Sequence, residues 1–220
     1  MITVKINGEE RQYPQGATYE DVANDYQKEY DNLIALAARD GKIRELFKKL
    51  TRDCEITFFT LKDDVGNKTY VRSATMLFLK AVFDVFGRET VQNCRVEFAI
   101  GNGSYISPKG KLNATEENAA KIRNRMRELV EAKTPFLKKS YSLDNAMELF
   151  RREGMKDKEK LFRYRRGSFV NIYEMDGYYD YYYGYMLPNA GYVKWFDVIA
   201  YEDGSVSYTH LRAHETVLDL

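Results

Sequence analysis

Side chains that could do chemistry are concentrated in one tyrosine-rich stretch, residues 177–196, which reads GYYDYYYGYMLPNAGYVKWF. It holds seven tyrosines but no histidine or cysteine. Phenols stack on flat ligands and form hydrogen bonds through their hydroxyls, so this stretch is a candidate ligand cleft. The candidate cleft residues are Tyr179, Asp180, Tyr181, Tyr183, Tyr185 and Asn189. If the stretch is a strand, its alternation puts the odd-numbered tyrosines on one side and Tyr178 and Tyr182 on the other. Ring packing in a protein core is the alternative interpretation.

A second candidate site combines basic and aromatic residues in KDKEKLFRYRRGSF, residues 156–169. Here Arg163, Arg165 and Arg166 could contact phosphates while Phe162 and Tyr164 stack on bases, which is how proteins bind single-stranded nucleic acids. The alternative is a solvated helix end with a few rings in the core.

The sequence shows no combination of residues at the spacing of a known catalytic or metal-binding motif. The two histidines, His210 and His214, have the H-x3-H spacing of a zinc-binding helix, but no cysteine, glutamate or third histidine accompanies them at the spacing of a known zinc motif. Cys54 and Cys94 lack CxxC spacing and are expected to be reduced, half-buried thiols. No Ser-His-Asp set, Cys-His set or pair of catalytic carboxylates can be assembled, so we predict no catalytic residue and no metal in this chain.

The composition is that of an ordinary soluble protein, with 44% hydrophobic and 30% charged residues. A net charge of +1 gives no overall field that would favour nucleic acid or an acidic membrane. No apolar run approaches the roughly 20 residues of a membrane span. The N-terminal MITVKINGEE lacks an apolar signal core, which predicts a cytoplasmic protein.

The first sixty residues predict the element order β-β-α-β-β-β. The strands are expected at 2–6, 9–14, 33–39, 42–50 and 54–61, with a helix capped by Thr18 between the second and third. Asp63 to Asn67 is polar and turn-rich, and we expect a domain boundary there.

The remainder predicts a mixture of helices and strands. Helices are expected at 70–86, after the cap residue Thr115, between Ser142 and Gly154, and at 157–165. Strands are expected in a hairpin at 94–107 broken at Gly101-Asn102-Gly103, at 170–179, at 181–186, and at 192–202.

The first segment resembles a TGS domain, the small β-grasp module of threonyl-tRNA synthetases. The resemblance is carried by VKINGEERQYPQGATYEDVA, LIALAARDGKIREL and CEITFFT. The second segment resembles the editing-type second additional domain that threonyl- and alanyl-tRNA synthetases share, through VRSATMLFLKAVFDVFG, EFAIGNGSYIS, TEENAAKIRNRMRELVEAKTPF and DGYYDYYYGYMLPNAGYVKWFDV. The resemblance implies an α+β fold class: a β-grasp (TGS) domain at 1–62, then an editing-domain-like α+β sandwich at 67–204.

In the editing family, zinc is held by H-x3-H on a helix and by a later C-x3-H. The matching positions of this chain are Arg72, Met76, Tyr182 and Met186, none of which is a thiolate or an imidazole. The resemblance therefore implies a candidate cleft with a degenerate metal site. Arg72 would put a cation there, either paired with an acid such as Asp180 or ready to bind an anion.

This pairing of modules also resembles the N-terminal half of a bacterial uridine-kinase-like nucleoside kinase family. Those proteins continue into a P-loop domain, which would use ATP and Mg²⁺, but GSYISPKGK has the wrong spacing for a P-loop. Residues 205–220 resemble translated sequencing-adapter sequence, which predicts a non-native tail, so we expect the P-loop domain, a partner in cis, to be missing.

Three functions follow as hypotheses. The leading one is a non-catalytic region of a nucleoside kinase that binds a small ligand or RNA, or regulates the kinase domain. The others are a module that binds the tRNA acceptor arm and a synthetase-like editing fragment that removes amino acids from tRNA.

Overall fold

A computed structural model describes residues 1–100, 103–108, 112–165, 167–202 and 204–208. The chain divides into two compact units. One comprises Met1–Ser73 with Gly184–Pro188, and the other comprises Ala74–Tyr183 and the described residues that follow Pro188. The predicted domain limits, 1–62 and 67–204, stay predictions. Among the described residues, no helix is long and apolar enough to span a bilayer.

The first unit is built on a five-stranded sheet in the order β2-β1-β5-β3-β4. Its elements are β1 (Ile2–Ile6), β2 (Glu9–Tyr13), α1 (Tyr19–Tyr26), β3 (Ile34–Arg39), β4 (Lys42–Glu45), β5 (Cys54–Thr60) and the start of α2 (Asp64–Phe86). A short 3-10 helix, Gln27–Glu29, follows α1. Strands β1 and β5 are parallel and the other pairs are antiparallel. This is the predicted β-β-α-β-β-β order of a β-grasp unit.

Local sequence explains these elements. Val4 and Ile6 alternate with the exposed Lys5, and Asn7-Gly8 takes the positive φ angles that a tight hairpin needs. The Thr18 side chain accepts a hydrogen bond from the Asp21 N–H, while the Asp21 carboxylate accepts one from the Thr18 N–H, so α1 begins with a capping box.

Two predictions in this unit were wrong at their boundaries. Strand β4 ends at Glu45 instead of continuing to residue 50, because a turn closes there with the Lys48 N–H bonded to the Glu45 carbonyl. Helix α2 begins at Asp64, within the stretch predicted as a turn-rich boundary. The Thr60 carbonyl would lie 1.9 Å from a Cβ at Gly66, so glycine here permits close packing of the helix instead of forming a turn.

The second unit contains the remainder of α2 and most of the other elements. They are α3 (Arg88–Asn93), β6 (Arg95–Ile100), β7 (Gly103–Ser107), α4 (Glu116–Glu131), β8 (Leu137–Ser142), α5 (Leu143–Arg152), α6 (Lys156–Arg163), β9 (Phe169–Met175), β10 (Tyr178–Asp180), a 3-10 helix (Ala190–Tyr192), β11 (Asp197–Tyr201) and β12 (Gly204–Tyr208). One sheet has the order β10-β9-β8 and the other β11-β12-β7-β6. The fold class, α+β with a β-grasp unit, is confirmed.

The predicted helix caps of this unit are confirmed. Thr115 and Ser142 accept hydrogen bonds from the backbone N–H three residues later, and Gly154 follows α5 with a φ of 71°. Strand β8 was missed. It pairs antiparallel with β9 along its whole length.

The tyrosine-rich stretch forms much less strand than predicted. Strand β10 stops at Asp180, whose carboxylate accepts a hydrogen bond from the Tyr181 N–H at 2.7 Å and so competes with the sheet. The strand predicted at 192–202 is observed only as β11, Asp197–Tyr201. The predicted start, residue 192, belongs instead to a 3-10 helix that begins where the Asn189 side chain accepts a hydrogen bond from the Gly191 N–H. Predicted features at Gly101, Asn102, Arg166, His210 and His214 lie outside the described residues.

Candidate functional site

Helix α6 is anchored in the second unit by one buried ring. Phe162 is fully buried, stacks on Phe150 at a centroid distance of 5.4 Å, and meets the Tyr181 ring edge-on at 5.0 Å. Val170 and Ile172 of β9 belong to the same core. For Phe162 the structure therefore favours the alternative of a ring in the core over base stacking. Tyr164, two residues later, is 89% exposed.

A buried ion pair fixes the other end of α6. Asp180 is 3% exposed, and its carboxylate lies 2.7 Å from the Lys158 ammonium. The Tyr178 hydroxyl donates a hydrogen bond to the same carboxylate at 3.3 Å. Burial would lower the pKa of Lys158, but Asp180 outweighs it and the pKa is raised. Burial raises the pKa of Tyr178 well above its usual value, and Asp180 adds to the effect, so Tyr178 stays a neutral donor.

Arg165 holds the connection between α6 and β9. Its guanidinium donates a hydrogen bond to the Tyr181 hydroxyl and lies over the Tyr181 and Phe162 rings, at 5.2 and 5.9 Å from their centroids. The Arg165 N–H bonds to the Phe162 carbonyl. Arg165 was predicted to contact nucleic acid. Its observed contacts position the connection, although a guanidinium has five donors and this hydrogen bond uses one.

Arg163 shares a carboxylate with a residue of α5. The Glu159 side chain lies 3.2 Å from Arg151 and 3.3 Å from Arg163, two arginines whose side chains are 64% and 62% exposed. The hydrogen bond from Arg151 lowers the pKa of Glu159, and Arg163 adds to this effect. One carboxylate thus holds two guanidiniums together with an excess of positive charge, an arrangement suited to phosphate.

These residues define what we call the α6 surface. It consists of Arg151, Lys160, Arg163, Tyr164 and Phe169. Lys160 is exposed and lies three residues before Arg163, on the same side of the helix. Phe169 is 67% exposed, because the alternation of β9 turns it away from the core that Val170 enters.

The predicted ligand-cleft residues have different environments. Tyr179 is half-buried against the core of α5 and β9, as is Tyr181. Tyr183 is 87% exposed, and Asn189 caps the 3-10 helix. In the first unit, Tyr185 provides the carbonyl that accepts a hydrogen bond from Arg72 at 2.6 Å. A cleft made of all six residues stays a prediction.

Two of the four degenerate metal positions lie in the first unit. Arg72 packs its guanidinium against Gly184, where a Cβ would lie 2.7 Å from the guanidinium carbon. Met186 is fully buried, with its sulfur 3.9 Å from the Ser73 hydroxyl and its N–H bonded to the buried Glu45 carboxylate at 3.2 Å. Ser73 also accepts a hydrogen bond from the Leu187 N–H.

The other two positions lie in the second unit. Met76 is fully buried in α2, and the Tyr182 ring lies 6.4 Å from that of Tyr173. A cation, two thioethers and a phenol do not fit a zinc ion, which needs thiolate, imidazole or carboxylate donors. Within the described residues, no group of three or more histidine, cysteine, aspartate or glutamate side chains could hold a metal.

Sequence reasoning missed Arg151, Lys160 and Phe169 of the α6 surface, and the ion pair that holds α6. Arg151 was not singled out, although it is an arginine in the last turn of a well-capped helix. Phe169 could have been found from its alternation with Val170 and Ile172. The pairing of Lys158 with Asp180 joins residues 22 positions apart and left no local signal.

Comparison with known proteins gives a consistent result. No family model matches the chain. It is 30% identical to the threonine–tRNA ligase of Thermotoga maritima over 97% of this chain and 32% of that protein. The ligase of Maricaulis maris is 28% identical, over 87% of this chain and 30% of the ligase. For the Porphyromonas gingivalis ligase the identity is 23%, over 88% and 30%.

The chain is similar to threonine–tRNA ligases. It spans about a third of the length of these relatives. This similarity confirms the prediction that the chain is a threonyl-tRNA synthetase-like region. These relatives give no support to a nucleoside kinase parent.

Proposed function

We propose that this chain is a threonyl-tRNA synthetase-like module that binds RNA, with the acceptor arm of tRNA as its target. The observation that carries this proposal is the similarity to threonine–tRNA ligases along 97% of the chain. Of the three hypotheses drawn from the sequence, this one takes precedence over the kinase region, which the relatives do not support.

The α6 surface supplies the chemistry that RNA binding requires. Arg151, Lys160 and Arg163 are exposed, and the first and third are oriented by Glu159. Because the net charge of the whole chain is only +1, attraction to phosphate must come from a local cluster of this kind. Protein cations that replace counterions on RNA make binding fall steeply with salt.

A direct binding experiment tests the proposal. Fluorescently labelled tRNA is titrated with the chain, and anisotropy is followed from about 50 to 200 mM salt. We expect saturable binding that weakens by roughly tenfold or more over this range if about three cations contact phosphates. No binding at the lowest salt, or binding that salt leaves unchanged, would refute it.

A second candidate function is that of a non-catalytic N-terminal region of a uridine-kinase-like nucleoside kinase. The four degenerate metal positions favour it, because that family resembles a synthetase whose editing-type domain has lost its zinc ligands. ATP and Mg²⁺ would then belong to a missing P-loop domain. The coding DNA beyond codon 204 tests this directly: a P-loop reading frame would establish the kinase parent, and a synthetase catalytic domain would exclude it.

An editing fragment is the remaining alternative. The donor set at Arg72, Met76, Tyr182 and Met186 leads us to predict no zinc requirement. We expect purified protein to contain far less than one zinc per chain and to melt at the same temperature with and without a chelator. Release of amino acid from mischarged tRNA by the zinc-free protein would support the editing fragment over the binding module, whereas stoichiometric zinc would contradict the predicted absence of a metal site.

A further inference from the structure

Two large rings at the α6–β9 connection face solvent. Tyr164 is 89% exposed and Phe169 67% exposed, and only four residues separate them. Single exposed rings are ordinary on protein surfaces. Two rings so close in sequence, beside exposed cations of α6, match the composition of surfaces that bind single-stranded nucleic acids.

Backbone hydrogen bonds form at the described residues next to each ring. On one side the Arg165 N–H bonds to the carbonyl of buried Phe162, and on the other the Leu143 N–H bonds to the Ser168 carbonyl. The five peptide links between Tyr164 and Phe169 limit their Cα separation to about 18 Å. Rings next to such hydrogen bonds lose less conformational entropy on binding than rings on a mobile loop.

Among the adjacent charges, which include the carboxylates of Asp157 and Glu159, cations are in excess. Arg151 and Arg163 share the single carboxylate of Glu159, and Lys160 is exposed on the same helix. The surface therefore offers rings for bases and guanidinium groups for phosphates. A nucleic-acid strand presents both partners, whereas an acidic protein surface presents only the charges.

We propose that the α6 surface binds unpaired nucleotides of RNA, with Tyr164 and Phe169 stacking on bases while Arg151 and Arg163 contact the backbone. This inference rests on the proposed RNA-binding function and adds the form of RNA that is recognised. In an A-form duplex the bases are stacked on one another, and their faces are closed to protein rings, so only unpaired nucleotides can use both features of the surface.

The test compares three labelled RNAs with the full chain. They are a 12-nucleotide single strand of mixed sequence, the same strand annealed to its complement, and an intact tRNA. We expect the single strand to bind more tightly than the duplex. Tyr164→Ala should weaken single-strand binding by roughly 5- to 100-fold without changing its salt dependence. Arg163→Ala should instead reduce the salt slope by about 0.7.

Two further variants separate stacking from folding. Tyr164→Phe keeps the ring and should bind the single strand like the unmodified chain, whereas Tyr164→Leu keeps apolar area without a ring and should behave like the alanine variant. Because Tyr164 is so exposed, all three should melt at the temperature of the unmodified chain.

The outcomes distinguish RNA binding in general from stacking of the rings on unpaired bases. Binding of tRNA with no preference for the single strand, or with no effect of Tyr164→Ala, would overturn stacking but leave RNA binding intact. Absence of binding to all three RNAs would overturn the proposed function and this inference together.

Discussion

At the scale of single residues, the crowded tyrosines support a neighbouring helix. Tyr178 packs its ring against Phe83 at 5.7 Å and bonds to Asp180 through its hydroxyl. Tyr181 contacts Phe162 and Arg165, which connects it to α6 and to the chain that follows. These contacts position the α6 surface, and they account for two of the seven tyrosines in the stretch.

Glu159 gives a prediction about pH at this scale. Its pKa is lowered in the folded protein, so the stability it contributes is present above the pKa of an unfolded glutamate, about 4.3, and is lost as the pH falls through the folded value. Glu159→Gln should therefore lower the free energy of unfolding at pH 7, and the difference from the unmodified chain should shrink as the pH falls through the folded pKa.

Urea unfolding at several pH values checks this prediction. Glu10→Gln, at an exposed position of β2, is the control and should stay within about 0.5 kcal/mol of the unmodified chain. A difference at Glu159 that is the same at pH 3 and pH 7 would show that its ion pairs do not stabilise the fold.

At the scale of elements, the start of α2 depends on Gly66. A glycine inside a helix usually costs about 0.5–1 kcal/mol relative to alanine. Here a Cβ would lie 1.9 Å from the Thr60 carbonyl oxygen, so Gly66→Ala should destabilise the protein by about 1–3 kcal/mol. Asn67→Ala, at the next and exposed position, should change stability by less than about 0.5 kcal/mol. Urea unfolding of both variants measures the difference, and a stabilising Gly66→Ala would contradict the observed packing.

The elements also show what the sequence could and could not predict. The caps at Thr18, Thr115 and Ser142 located three helices, because capping depends on residues only three positions apart. The start of α2 was missed because Gly66 was taken as a turn residue. Its glycine is instead required by close contact with the Thr60 carbonyl at the end of β5, which the sequence does not reveal. The tyrosine stretch was predicted as strand, but the Asp180 carboxylate accepts a hydrogen bond from the Tyr181 N–H, and this contact ends the strand.

The candidate site was predicted only in part, because some of its features depend on local sequence and others on long-range packing. Arg163 and Tyr164 were found from local composition, and the structure exposes both, Arg163 in the last turn of α6 and Tyr164 at its C-cap. For Phe162 the sequence left base stacking and core packing open, since an isolated aromatic in a basic stretch does not reveal which way it faces. The contribution of Arg151 depends on the packing of α5 against α6, which local spacing does not encode.

At the scale of the whole molecule, the near-neutral charge directs attention to local surfaces. A net charge of +1 provides little long-range attraction for RNA, so a single cation on a binding surface should matter more than one elsewhere. The chain offers a matched pair to compare. Arg163 and Arg52 have side chains 62% and 66% exposed, and each forms ion pairs with carboxylates on the surface.

The affinity of the Arg163→Ala and Arg52→Ala variants for tRNA, measured side by side at about 100 mM salt, tests the central claim most directly. We predict that Arg163→Ala weakens binding several-fold and flattens its salt dependence, while Arg52→Ala leaves both unchanged. Equal effects of the two substitutions, or no effect of either, would contradict an RNA interface on α6.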